Sequence, residues 1–159
     1  MALGSEIERK FLLRGIPDDV DWIDEKAIRQ GYVALDGDTE VRVRLSGSEA
    51  TLTVKHGGGR SRTEEEVPLD PRQAESLYAL TEGRRVEKTR RRTRVDGLVA
   101  EVDEYTGDLA GLCVAEVEFE DDAAADRFDP PGWFEREVTD DKSFKNRSLA
   151  CQGLPETAR

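Results

Sequence analysis

Histidine and cysteine are scarce: one histidine and two cysteines in 159 residues. That excludes a histidine-rich metal centre and leaves too few thiols for a disulfide framework. No run approaches the ~20 apolar residues of a membrane-spanning helix. The opening Met1 to Glu6 lacks the basic-then-apolar plan of a secretory signal. A surplus of positive charge is also missing. The 24 Lys+Arg against 35 Asp+Glu give −11, which argues against non-specific nucleic-acid binding. The 36 % of hydrophobic residues fall in patterned short runs, unlike those of a disordered chain. The length suits one domain. The expectation is a single acidic, soluble, cytoplasmic domain over 1–159, with its core at about 4–150 and a mobile tail at 154–159. No membrane and no nucleic acid is expected as a partner.

What is present is alternation. A strand sends successive side chains to opposite faces, so residues of equal parity share one. Val41-Arg42-Val43-Arg44-Leu45 puts two arginines on one side and three aliphatics on the other. The same plan runs through Glu6 to Lys10, Thr51 to Lys55, Arg62 to Glu66, Lys88 to Arg94, Glu101 to Asp103 and Ala115 to Glu120. With Ile28 to Leu35 added, eight strands are predicted, at roughly 4–13, 28–35, 40–46, 50–56, 61–68, 84–96, 98–106 and 113–120. Turn signals such as Ser46-Gly47-Ser48 and Asp96-Gly97 separate them, so an antiparallel meander is expected. Three helical pieces remain. One is capped by Asp70 with Pro71 at its first position, one spans Asp121 to Phe128, and one spans Asp140 to Ala150. The fold class is mainly β (α+β).

Charge on a single strand normally faces water. Here the pattern is collective: nine acids and nine bases share the charged faces of a chain that carries −11 overall. Eight antiparallel strands can close into a barrel, which also removes exposed edges. With the apolar faces outward under the helices, the charged faces would line the bore. Such a lining is costly unless the charges pair or meet a charged ligand. Bases around a bore suit a polyanion, and clustered carboxylates suit a divalent metal.

Glu6-x-Glu8-x-Lys10, Arg42-x-Arg44, Lys55, Lys88-x-Arg90, Glu101-x-Asp103 and Glu116-x-Glu118, in this order, resemble the CYTH domain, the family of triphosphate tunnel metalloenzymes. The likeness runs from about Glu6 to Ala150 and looks closest to compact bacterial inorganic tripolyphosphatases. It implies an eight-stranded antiparallel closed β-barrel tunnel, a Mg²⁺ or Mn²⁺ requirement and a triphosphate-containing small-molecule substrate. By the same resemblance Glu6, Glu8, Glu116 and Glu118 would hold metal. Asp103, with Glu101, would ligate a second metal or orient the attacking water. Lys10, Arg42, Arg44, Lys55, Lys88 and Arg90 would grip phosphates. Lys55 paired with Tyr32 would serve catalysis, and Lys142 or Lys145 would close the tunnel.

The expected reaction is hydrolysis of tripolyphosphate to pyrophosphate and phosphate. Thiamine triphosphate or nucleoside triphosphate hydrolysis, class IV adenylyl cyclase activity and a non-catalytic polyphosphate-binding module are the alternatives. A monomer or homodimer is expected. Blander roles suit several residues: Arg92 and Arg94 as solvated strand-end bases, Glu64 and Glu66 as partners of neighbouring bases, His56 as a loop residue. Cys113 reads as a small buried hydrophobe, and Trp22, Trp133 and Phe134 as packing for the helical flank.

Overall fold

The computed structural model describes residues 7–58 and 61–158. Glu6 and the predicted strand start at residue 4 lie outside them. Eight strands form one antiparallel sheet: β1 (Ile7–Leu13), β2 (Asp24–Asp36), β3 (Thr39–Ser46), β4 (Glu49–Gly58), β5 (Ser61–Pro68), β6 (Arg85–Val95), β7 (Leu98–Tyr105) and β8 (Cys113–Phe119). Their spatial order is β1-β8-β7-β6-β2-β3-β4-β5, strongly curled into a tunnel-like form. Tight turns set the register. Between β6 and β7 both Asp96 and Gly97 take positive φ, at 52° and 76°, the twist a two-residue hairpin needs.

The expected closure by hydrogen bonds is not found among the described residues. The free edge of β1 is taken instead by the chain at 135–138: Glu135 N donates to Leu12 O, Leu12 N to Arg136 O, and Val138 N to Lys10 O. Lys10 to Leu12 of β1 therefore have no ladder left for β5. β2 also begins four residues earlier than the alternation predicted. Asp24-Glu25-Lys26 reads as a polar loop, but it pairs with the basic run of β6, Asp24 opposite Arg92 and Lys26 opposite Arg90. His56 belongs to β4 rather than to a loop, its Nδ1 2.6 Å from Thr39 Oγ1.

The outer face carries the larger core. Phe11, Leu13, Val102, Ala115, Val117 and Phe119 pack under α2 (Asp122–Arg127), with Phe128 and Phe134 buried among them and Trp22 and Trp133 partly buried against them. Burying a side chain such as Phe11 contributes about 1.5–3 kcal/mol. On the other flank α1 (Pro71–Tyr78), closed by a reciprocal Asp70–Gln73 capping box, lies over β2 and β3. Its continuation presses Thr81 on Gly31, where an added Cβ would sit 2.2 Å from Thr81 Oγ1. Only glycine permits that approach. The helix expected over Asp140 to Ala150 divides into a 3₁₀ turn (Lys142–Phe144) and α3 (Asn146–Gln152), because Lys145 is extended (ψ 142°) and Asp141 caps the turn through Ser143 N. No helix among the described residues is long and apolar enough to cross a membrane.

Candidate active site

Residues opposite each other in an antiparallel ladder share a face, so the pairings define the concave surface. Glu8 faces Glu118 and Lys10 faces Glu116. Glu116 faces Glu101. Arg90 faces Asp103, and Lys88 faces Tyr105. Gln30 faces Arg44, and Tyr32 faces Arg42. Glu40 faces Lys55. Lys55 faces Glu64. A bulge between Tyr32 and Ala34 restores Leu35 to this same side, opposite Glu40.

The bore has a floor. Tyr32, Val86, Tyr105 and Val114 of the concave face are buried with Phe144, Leu149 and Ala150 of the C-terminal segment, and Leu12 and Leu35 pack against them. Polar ties hold this cap: Tyr105 Oη donates to Asn146 Oδ1 at 2.6 Å, and Lys10 Nζ donates to Phe144 O at 3.3 Å. At the other end, where β2 starts, a cleft of about 160 Å³ lined by Lys26, Arg44, Arg90, Arg92 and Glu101 opens to solvent. A larger cleft of about 460 Å³ lies outside the sheet under α1, lined by Ala27, Leu45, Ala50, Leu69 and Ala74. It shares no residue with the acid–base face.

The centre of the bore is a buried ion cluster. Asp103 receives Arg90 through both oxygens, at 2.7 and 2.9 Å, and meets Lys88 Nζ at 2.8 Å. Arg90 also reaches Glu101 at 3.2 Å. Burial opposes the Asp103 carboxylate, yet Lys88 and Arg90 hold it well below its usual range. Burial draws Lys88 down to about 8 against the pull of Asp103. Burial and the neighbouring Arg42 and Arg90 draw Arg44 down to about 10. Donors remain unspent. Among the described residues Arg42 Nε is buried with no hydrogen-bond partner, and Lys88 Nζ, paired with Asp103 and set over the Tyr105 ring, has no well-aligned hydrogen-bond acceptor. Buried unsatisfied donors are costly unless something else engages them.

The sequence-predicted residues divide accordingly. Arg44, Lys88 and Arg90 come together around Asp103, Lys10 and Arg90 act on Glu116, and Arg42 stands beside Arg44. Lys55 sits further along the face, 3.9 Å from Glu64, with burial and Arg42 lowering its ammonium. Tyr32 is buried and its phenol raised, by burial first and Glu40 second. No hydrogen bond joins Tyr32 to Lys55 among the described residues, although both feel Glu40 and Arg42. Lys142 and Lys145 are exposed. The basic residue that bridges the cap to the sheet is Arg147, 3.9 Å from Glu40 and donating to Gly37 O. Arg92 pairs with Asp24 at the mouth, and Glu64 pairs with Lys55 and Arg62.

The acid pole is Glu8 with Glu116, and Glu118 stands opposite Glu8. Burial works against the Glu116 carboxylate, but a hydrogen bond with Glu8 and the charges of Lys10 and Arg90 keep it below its ordinary value. Two apposed carboxyl groups need a proton or a cation between them. Among the described residues no three acids gather into a complete metal cage. A hydrated Mg²⁺ does not require one, since it is commonly held by one or two carboxylates plus substrate phosphates. The donor set fits that mode of binding.

A curled antiparallel sheet whose concave face gathers cations beside a carboxyl pair defines a tunnel-like fold with a charged bore. The CYTH domain model matches residues 4–130, and the chain belongs to that family. It is 46 % identical over 148 residues to an inorganic triphosphatase of Nitrosomonas europaea, covering 92 % of this chain and 97 % of that one. It is 39 % identical over 150 residues to an inorganic triphosphatase of Acetivibrio thermocellus, covering 92 % and 94 %. The crystal structure of the inorganic triphosphatase NE1496 superposes with a TM-score of 0.79 at 42 % identity, covering 96 % of this chain and 97 % of that one.

Proposed function

We propose that this protein is a divalent-metal-dependent hydrolase of inorganic tripolyphosphate, which water splits into pyrophosphate and phosphate. One observation carries the reading: Arg42, Arg44, Lys88 and Arg90 converge in a bore with donors unspent, beside the Glu8–Glu116 carboxyl pair. The charge of a triphosphate needs several cations, and a floored bore lined by ions favours a substrate that is nearly all phosphate. The named activity of the two relatives supports it.

Lys10, Arg42, Arg44, Lys88 and Arg90 bind the phosphates, the arginine forks fixing oxygen positions and the lysines adding point charge. Asp103, with both oxygens engaged by cations, aims Arg90 and Lys88 rather than a metal or a water. Glu8, Glu116 and Glu118, with Glu6, would hold Mg²⁺ or Mn²⁺. Bound there, the cation supplies Lewis-acid neutralisation of phosphate charge. Tyr32 and Lys55 serve the terminal phosphate, where charge grows in the transition state. Cys113 and Cys151 are both free thiols, which fits a reducing, cytoplasmic setting.

The test compares phosphate release from tripolyphosphate, thiamine triphosphate, ATP and pyrophosphate with Mg²⁺, Mn²⁺ or EDTA. Preference for tripolyphosphate, abolished by EDTA, is expected. Tight tripolyphosphate binding with no turnover on any substrate would leave a binding module instead.

A further inference from the structure

Gln30 is completely enclosed (0 % exposed) on the concave face, between Arg44 of β3 and Val86 of β6. Its chemistry dictates how it must sit. Arg44 Nε–H can only donate, so the side-chain oxygen of Gln30 must be the atom that meets it, at 2.7 Å. The Gln30 amide nitrogen is then committed to the other side, where it lies 3.2 Å from Tyr32 Oη. That nitrogen is a donor with no acceptor capacity. The Tyr32 hydroxyl must therefore accept from Gln30, and its own proton cannot point back along the same line. Among the described residues no side chain or carbonyl accepts that proton. Burial and Glu40 also keep the phenol protonated. The position is rigid: next to Gln30, the bare Cα of Gly31 is clamped by Thr81 on the opposite face.

We propose that Gln30 is a positioning residue of the reaction. Its amide holds Arg44 in place and polarises the Arg44–Gln30–Tyr32 chain in one direction. Tyr32 is thereby made a hydrogen-bond donor to the substrate's terminal phosphate rather than a proton acceptor. This rests on the hydrolase reading above. It assigns the donor work of Tyr32 to a residue that touches no substrate itself.

The experiment measures kcat and KM for tripolyphosphate with Mg²⁺ in the wild type, Gln30→Met, Gln30→Glu, Tyr32→Phe and the Gln30→Met/Tyr32→Phe double variant. Metal-free tripolyphosphate binding is followed by calorimetry in parallel. A carboxylate at position 30 still accepts from Arg44 but also accepts from Tyr32, which turns the phenol proton away from the bore. Gln30→Glu should therefore lose at least as much kcat as Tyr32→Phe. Gln30→Met should lower kcat about tenfold, within the range of a displaced catalytic donor. In the Tyr32→Phe background the same Gln30→Met change should alter kcat less than about twofold, because the residue it acts through is gone. A purely structural role would not produce that background dependence. Wild-type kcat in Gln30→Glu, or an equal fold-loss for Gln30→Met in both backgrounds, overturns the proposal. If Gln30→Met fails to fold, Gln30→Glu with and without Tyr32→Phe carries the same comparison. A wild type that binds without turnover defeats the hydrolase reading itself. Gln30→Met must then still weaken metal-free binding through Arg44, and unchanged affinity rejects that half as well.

Discussion

Asp103→Asn is the most informative single change in the ion cluster. The carboxylate is 6 % exposed and neutralises two cations, Lys88 (2 % exposed) and Arg90. Removing its charge leaves both buried beside Arg44. Breaking a buried ion pair from one side costs about 3–5 kcal/mol. For a domain of this size 1 kcal/mol moves Tm by about 2–4 °C, so a fall of about 6–20 °C at pH 7 is expected. The loss has a pH signature. Lys88 already lies near 8 in the folded protein, below its ordinary value of about 10.4. Without Asp103 it falls further. A base with a depressed folded pKa binds fewer protons folded than unfolded, so stability rises with pH between the two values. The unfolded value is common to both proteins, so the deficit of the variant should be fullest below its own lowered folded pKa and shrink as pH climbs through about 8, above which Lys88 is neutral in both. Thermal denaturation by circular dichroism at pH 6, 7, 8 and 9 reads this, with and without tripolyphosphate. The added anion should restore part of the loss. A change under 2 °C at pH 7, or a deficit that grows with pH, would refute the cluster as described.

Glu116→Gln should leave the fold intact and abolish Mg²⁺-stimulated turnover, measured by phosphate release across a Mg²⁺ titration. Gly31→Ala should destabilise by about 1–3 kcal/mol, the cost of overpacking, because its Cβ would sit 2.2 Å from Thr81 Oγ1; urea unfolding measures it. Arg147→Ala should change stability by no more than about 0.5 kcal/mol, as an exposed base at 3.9 Å contributes little.

The parity of charge along each strand was enough to place Arg42, Arg44, Lys88, Arg90, Asp103 and Glu116 on one face before any coordinates. Alternation of period two is a local property, and the ladders preserve it. Four things were not legible. Asp24 to Lys26 looks like a loop because its polarity is explained only by a partner far away in sequence, the basic run of β6. Closure failed as an expectation because no pattern within β1 announces that residues 135–138 will occupy its edge. Asp103, which the resemblance gives as a ligand of a second metal or a group that orients water, has both oxygens engaged by cations of β6, a pairing that no pattern within β7 announces. Gln30 carried no assigned role for a related reason: a neutral polar residue disturbs neither the charge pattern nor the apolar one. Its only signal was a polar side chain at a position whose neighbours along the strand, Ile28 and Tyr32, are both buried.

The proposed reaction is attack of water on the terminal anhydride of a triphosphate in this bore. Phosphorus-31 NMR of tripolyphosphate with Mg²⁺ tests it most directly, because it follows substrate and both products at once. Pyrophosphate and phosphate should appear in equal amounts, pyrophosphate should then persist, and no reaction should occur with EDTA or with Glu116→Gln. Phosphate forming without pyrophosphate, equal turnover in EDTA, or no turnover in the wild type would contradict it.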